Sequence, residues 1–355
     1  MWLASEIGTF FDGSIDINSK TMKRFSFVLI SLVLFSCKLE PSRQPSATGK
    51  AGELLVVISN NYYQALAGTA LRDVFQAIIP MELNSEPFFN IVQIQPENFT
   101  RIYESHRHIF IVDIDPNHSA ASVERSLDHW SNPQLVIKVK APSQESFAKV
   151  METRGVGFVQ EYINTEFRRY IAAYNRMLNA DAIRTVYEKF GFKLAIPEGY
   201  FVAIQGDNFL WLRQTGSRTD LEIGLLVATA KYTDPKIDFA PENIKRRRDN
   251  ITKKFIHGVT EGSFMTTYSP ETHPEVQFRV KEIDFNGMFA VQANSLWTME
   301  KEFLGGPFVN FTMVDPNTNN LLMLDGWVLF PNKGKRDFMR QIEALIRSID
   351  FNPKS

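Results

Sequence analysis

Short apolar runs alternate with helical periodicities over the first part of the chain, and this predicts strands interleaved with helices. Residues 53–59, Glu-Leu-Leu-Val-Val-Ile-Ser, form a brief run rich in β-branched side chains, suited to a buried strand. Ala65, Leu66, Thr69, Ala70, Val74, Phe75 and Ile78 then recur near helical spacing up to Pro80. Residues 88–95 alternate and predict a strand ending at Pro96, and residues 109–114 predict a second, strongly buried one. A helix over 120–130 and a strand over 134–140 complete the pattern. An α/β sandwich follows from this alternation, occupying residues 51–190.

A long helical region is predicted from Ser143, an N-cap just after Pro142, to Gly191, a C-terminal stop. Phe147, Met151, Phe158 and Tyr162 form one apolar stripe, and Phe167, Ile171, Tyr174 and Leu178 another. Gly155 and Gly157 are expected to break the helix between them. Beyond residue 190 the texture changes to strands, over 192–196, 200–205, 209–214, 221–229, 263–268, 276–285, 288–297, 307–314 and 321–330. Pro241 opens a polar helix running to Gly258, and residues 335–349 close the chain as an amphipathic helix. The predicted class is therefore α+β: an N-terminal α/β sandwich domain, then an antiparallel-sheet α+β domain over 191–355 with a closing C-terminal helix. In element order this second part resembles the α/β/α-like modules of the photosystem extrinsic protein and Mog1 group.

One stretch stands outside the folded pattern. Residues 23–37, KRFSFVLISLVLFSC, place two cations before twelve uncharged, mostly apolar residues and then the single cysteine of the chain. Twelve residues fall short of the roughly 20 that a membrane-spanning helix needs. They fit the hydrophobic region of a secretory signal peptide. Leu34-Phe-Ser36 before Cys37 resembles the bacterial lipobox, which implies acylation of Cys37, palmitate among the acyl groups, as the mature amino terminus. Phe35 replaces the usual smaller residue there. Met22 is a natural start for such a signal (22–36), so residues 1–21 read as a misannotated upstream extension. Residues 37–50, with two prolines and small polar residues after Cys37, read as a flexible tether.

Composition then bounds the partners. The net charge of the 355 residues is −1, which asks for no nucleic acid. Apolar residues make up 44% and aromatic ones 12%, with 29 phenylalanines, enough for a substantial core. The lipobox, the run Gly49-Lys-Ala-Gly-Glu-Leu-Leu-Val-Val57, Phe99-Thr-Arg-Ile102 ahead of His106-Arg-His108, and Leu304-Gly-Gly-Pro-Phe308 resemble a Bacteroidetes lipoprotein family, DUF4837-like, a domain of unknown function. The resemblance covers nearly the full chain. It implies a cell-envelope location and brings no catalytic residues.

Candidate chemistry is sparse. His106 and His108 share a strand face if the strand is regular and could ligate a metal, but Asp113 and Asp115 fall on the opposite parity, so no metal or other cofactor is assigned. Asp315-Pro-Asn-Thr-Asn-Asn320 begins like a calcium loop but lacks its sixth-position glycine and twelfth-position glutamate, and reads as a turn. Ser146-Phe-Ala-Lys149 spells a Ser-x-x-Lys motif without its partner motifs, and reads as a helix start. Arg246, Arg247 and Arg248 lie in a basic helix with Lys245, Lys253 and Lys254, either a solvated face or a grip for lipid phosphates or an acidic partner. Trp211, Trp297 and Trp327 lie on predicted strands, as core or as a stacking surface for a glycan or peptide, with Gly305 and Gly306 marking a groove or a turn. No catalytic residue is assigned. The expectation is a non-catalytic binding, scaffold or assembly factor of the envelope, lipid-anchored through Cys37 and placed at the outer membrane. Its partner would be an envelope protein, a glycan or a lipid. The alternatives are a dedicated carbohydrate or lipid binder and an enzyme whose site assembles only in the fold.

Overall fold

The computed structural model describes residues 44–79, 86–216, 220–269 and 276–353. The upstream extension, the signal segment, Cys37 and the tether up to residue 43 lie outside the described residues. Residues 45–355 form one compact unit, which holds two sheets. The expected boundary near residue 190 falls between those sheets.

Buried β-branched strands build the first sheet, in the order β2 (Asn90–Ile94), β1 (Glu53–Val57), β3 (His108–Ile114), β5 (Leu135–Ala141), β4 (Ser122–Leu127). All neighbours run parallel except β4, which is antiparallel to β5. The helix expected over 120–130 is thus an edge strand. Its residues are mostly exposed, and pairing to β5 overrides their local helical preference. One-turn helices α1 (Asn60–Tyr63) and α3 (Arg101–Glu104) serve as connectors. Helices α2 (Leu66–Phe75) and α4 (Gln144–Tyr174) cover one face through Leu71, Phe75, Phe147, Phe158 and Tyr162. Helix α4 runs unbroken for 31 residues, against the expected break at Gly155 and Gly157. Gly155 is needed for packing instead, because a Cβ there would meet Val74 at 2.5 Å.

Residues 45–50, expected in the unpacked tether, are laid onto this sheet. The Thr48 amide donates to the Ser105 carbonyl at 2.8 Å and the Ala47 amide to that of Asn132 at 3.3 Å. Gly49, at φ +88°, lets the chain turn tightly over the His106 ring.

After helix α5 (Ala180–Phe190) comes the antiparallel second sheet, ordered β10 (Arg279–Phe285), β11 (Met288–Met299), β12 (Gly305–Val314), β13 (Asn320–Leu329), β8 (Glu222–Lys231), β7 (Phe209–Thr215), β6 (Tyr200–Gly206). The short β9 (Met265–Thr267) pairs the end of β11. Residues 192–196 are not a regular strand as expected. Phe192, Leu194 and Ile196 alternate inward into the core, but the segment finds only an isolated bridge from Lys193 to Asp350. Helices α5 and α8 (Arg336–Arg347) pack on one face, α8 against Gly326, whose missing side chain admits Ile342. After α6 (Pro235–Asp238), α7 (Pro241–Phe255) covers the other face. The second sheet therefore sits in the middle of three layers, while α4 runs alongside α8 and ties to it by the Tyr174 hydroxyl donating to the Gln341 carbonyl at 3.0 Å.

Candidate functional site

The α8 face of the second sheet is covered at its centre and open at its edge. Alternation puts Arg279, Lys281 and Ile283 of β10 on the same face as their partners Asn294, Gln292 and Ala290 of β11. Helix α8 walls this edge with Glu343 and Arg347, and helix α4 walls it opposite with Gln160, Ile163 and Asn164. The result is a groove of about 890 Å³, continuous with a smaller inner chamber of about 140 Å³. Ile79, Phe88, Ile163, Asn294 and Glu343 line both. The inner chamber adds Arg336, Met339 and Arg340 of α8 and Pro307, Phe308 and Val309 of β12.

Two buried polar atoms along this path have no hydrogen-bond partner among the described residues. Gln292 is 4% exposed; its amide nitrogen donates to Asn294 Oδ1 at 3.1 Å, while its Oε1 has no hydrogen-bond partner among the described residues. Arg340 is 5% exposed, lies 4.6 Å over the Phe89 ring and donates from Nη2 to the Phe88 carbonyl at 2.6 Å. Its Nη1 has no partner among the described residues. Burial, then the charge of Arg336, pull the Arg340 guanidinium below the ordinary arginine value. An unmet buried acceptor and an unmet buried donor in one groove are costly to the protein alone, and they are what a ligand would satisfy.

Within electrostatic range of Arg340 lies a buried ionic cluster. The Glu166 carboxylate of α4 lies 2.6 Å from His108 Nε2 and 3.2 Å from Arg107 Nη1, with His108 and Glu166 wholly buried. Burial dominates the His108 ring and lowers its pKa to about 4, so at neutral pH the ring is uncharged and its Nε2–H donates. Burial alone would raise Glu166, but His108, Arg107 and Arg169 together hold it down at about 2. The two histidines take different carboxylates, His106 Nε2 lying 3.8 Å from Glu53 and His108 Nε2 2.6 Å from Glu166. Among the described residues no three His, Cys, Asp or Glu side chains are placed to hold a metal.

The other sequence candidates resolve into packing. Trp211, Trp297 and Trp327 do come together, with ring centroids 6.1 Å and 5.3 Å apart in successive pairs, but all three are buried. An exposed stacking platform is thereby excluded for them. Gly224 makes room for Trp327, and Gly306 lies against the Val328 carbonyl, so the glycine pair opens a packed strand rather than a groove. Of the basic helix, Arg246 is exposed, Arg247 donates to the Asp238 carbonyl, and Arg248 is wholly buried. Arg248 Nε lies 3.0 Å from Asp325 Oδ2, with the guanidinium 3.7 Å over the Phe308 ring. A solvated face therefore describes only part of the helix. Asp315 accepts from the Asn317 amide at 2.8 Å and closes a turn. Ser143 caps α4 by accepting from the Ser146 amide, and Lys149 pairs on the surface with Glu152. Sequence reasoning missed Gln292, Arg340 and Glu166. For Gln292 the available signal was a polar residue on the buried parity of an apolar strand, and for Glu166 one beside the apolar stripe of a helix; Arg340, on the polar face of its helix, carried no such signal.

Residues 179–348 match the family model of a domain of unknown function, DUF4837, which supports the DUF4837-like resemblance over that part. Residues 47–175 match a second domain of unknown function, DUF8532. No curated protein matches the sequence. Among solved structures, the chain is similar to the Mog1 E65A mutant at 8% identity and TM-score 0.29, over 45% of this chain and 90% of that one. The Saccharomyces cerevisiae Ran-binding protein Mog1p gives 8% identity and TM-score 0.30, over 46% and 92%. Human StAR-related lipid transfer protein 5 gives 8% and 0.24, over 52% and 98%. These scores are too low to bear on function.

Proposed function

We propose that this chain is a non-catalytic binding protein of the bacterial cell envelope, anchored at the outer membrane by lipid on Cys37, which takes its ligand in the groove between α4, α8, β10 and β11. The observation that carries the binding reading is the pair of buried groups, Gln292 Oε1 and Arg340 Nη1, unmet along one continuous groove. The groove's own carboxylates are already engaged: Asp284 accepts from the Gly287 amide at 2.7 Å and Glu343 pairs with Arg347 at 2.8 Å. Its remaining polar groups are amides, guanidiniums and an ammonium, which hold ligands by hydrogen bond and charge. The signal-like residues 23–37 support the anchor, and no helix among the described residues is long and apolar enough to cross a membrane.

The full chain, extracted from host membranes in detergent, should release a bound small molecule on denaturation, detected by mass spectrometry. Asn294→Trp, which fills the shared wall of groove and chamber, should abolish its retention. Equal retention by the folded variant would overturn the groove as the site. Cys37→Ala should move the protein from the membrane to the soluble fraction, and unchanged membrane retention would refute the anchor. A scaffold reading rests on a separate observation. Val259 and Phe303 stand fully exposed on adjacent loops joined by the Thr260 amide donating to Glu302 at 2.8 Å, and such tips favour a protein partner.

A further inference from the structure

We infer that the inner chamber is an anion seat: it receives the carboxylate or phosphate head of a small acid whose body, carrying hydroxyl or amide donors, lies in the wider groove against Gln292. The inference rests on the groove being the ligand site and names what enters it.

Charge supplies the first step. Arg336 and Arg340 occupy successive turns of α8, both line the chamber, and both are about 95% buried. Arg336 is provided for. Its Nε lies 2.9 Å from Asp337 Oδ1, its Nη1 donates to the Pro87 carbonyl at 2.9 Å, and its backbone amide donates to Glu86 at 2.9 Å. Arg340 makes no ion pair among the described residues. Glu166 and Asp337 lie within electrostatic range of it, but Glu166 serves His108 and Arg107, and Asp337 serves Arg336. A buried guanidinium with one unmet arm and, among the described residues, only a carbonyl partner is a poor arrangement for a protein alone. An anionic oxygen at Nη1 completes it.

Shape supplies the second step. The chamber's 140 Å³ suits a carboxylate or phosphate and little more; its other walls are largely apolar, with Asn294, Ser295 and Glu343 as the polar exceptions, and Glu343 is held by Arg347 at 2.8 Å. A low-dielectric wall strengthens the attraction between guanidinium and anion. Along the whole path five cations, Arg279, Lys281, Arg336, Arg340 and Arg347, face two carboxylates, Asp284 and Glu343. The wider groove offers Gln160, Asn164, Gln277, Gln292 and Asn294, and the unmet Gln292 Oε1 asks for a donor. A wholly apolar ligand would leave both buried groups unsatisfied, and an uncharged polar one would leave the Arg340 charge unanswered.

The test uses the full chain in detergent with inorganic phosphate and, separately, acetate, each against chloride at constant ionic strength. Phosphate or acetate should raise the thermal unfolding midpoint of the wild type by several degrees more than that of Arg340→Met, because binding to the folded state alone stabilises it. The anion giving the larger difference identifies the head. Phosphate also stabilises proteins by exclusion from their surface, so the difference between the two proteins is the readout. Equal shifts in both proteins for both anions would overturn the seat. Selenate soaked into wild-type crystals keeps the test independent of the variant's folding. An anomalous peak within hydrogen-bond distance of Arg340 Nη1 is expected, and peaks only elsewhere would overturn it. Loss of the co-purified molecule in Asn294→Trp with full retention in Arg340→Met would leave the groove standing and remove the seat. Loss of the anion response in Arg340→Met with retention in Asn294→Trp would leave the seat and remove the groove.

Discussion

Two arginines of this chain are buried to a similar degree, and the fold treats them differently. Arg248 of α7 lies over Phe308 with a wholly buried carboxylate, Asp325, at 3.0 Å, and Asn310 donates to the same oxygen at 2.9 Å. Thr267 Oγ1 lies 3.1 Å from Arg248 Nη1, while the second carboxylate oxygen, Asp325 Oδ1, has no hydrogen-bond partner among the described residues. Arg340 of α8 lies over Phe89 with a carbonyl and, among the described residues, no carboxylate of its own. Arg248 is sealed under a helix by groups that answer its charge. Arg340 opens on a chamber that does not. The contrast teaches that burial of a cation says little about its role until its partners are counted.

The largest effect expected from this contrast is at the sealed centre. Asp325→Ala leaves Arg248 buried without its carboxylate and should cost about 3 to 5 kcal/mol of unfolding free energy. Urea denaturation checks this. A loss below about 1 kcal/mol would mean that Arg248 finds water or another acceptor, and the contrast would collapse.

Next in size is the response to acid, where the two centres run in opposite directions. The folded state holds His108 at about 4 against 6.5 for the free side chain, so it binds fewer protons than the unfolded chain. Its contribution is complete above pH 6.5 and is lost as pH falls toward 4. Glu166, at about 2 against 4.5, contributes fully above pH 4.5 and is lost as pH falls below that. Burial raises Asp325 instead, so that centre gains rather than loses as its carboxyl takes up a proton. Stability should therefore fall by about 3 kcal/mol between pH 7 and pH 4, driven by the His108 centre. Urea titrations at pH 7, 5.5 and 4 read this directly. His108→Gln should flatten the profile, and a wild-type profile already flat would show that the ring carries no such linkage.

These centres also show how far the sequence could be read. Strand and helix periodicities located most elements because each buries one face, and alternation records that directly. They failed where a partner overrode local preference. Ser122–Leu127 has helical composition but completes a sheet edge beside β5, and Phe192, Leu194 and Ile196 alternate with no neighbouring strand to extend. Gly155 looked like a helix break because the demand it answers, closeness to Val74, comes from a different helix. Asp325 stood visible as one acid inside an apolar strand, and Arg248 shares a helix face with Ile244 and Thr252. Arg340 gave less warning. Its neighbours Arg336 and Glu343 read as the polar face of an amphipathic helix, and the approach of α4 and of residues 86–89 ahead of β2 turns that face inward.

The smallest expected effect divides the two arginines most sharply. Arg340→Met keeps much of the side chain's volume and removes a charge that no carboxylate of its own answers. Its cost is the bond to the Phe88 carbonyl and the contact with Phe89, offset by relief of a buried like-charge neighbour in Arg336. Replacing a poorly paired buried charge by an apolar group of similar size is neutral or mildly stabilising, so the change should stay within about 1 kcal/mol of zero. Arg248→Met should by contrast cost about 3 kcal/mol or more, because it strands Asp325 in the interior. Parallel urea curves decide between them. If Arg340→Met costs as much as Arg248→Met, both arginines are structural keystones and the chamber needs no anion. If it costs nothing, the protein keeps a buried charge that its own stability does not require, which is the mark of a residue kept for a ligand.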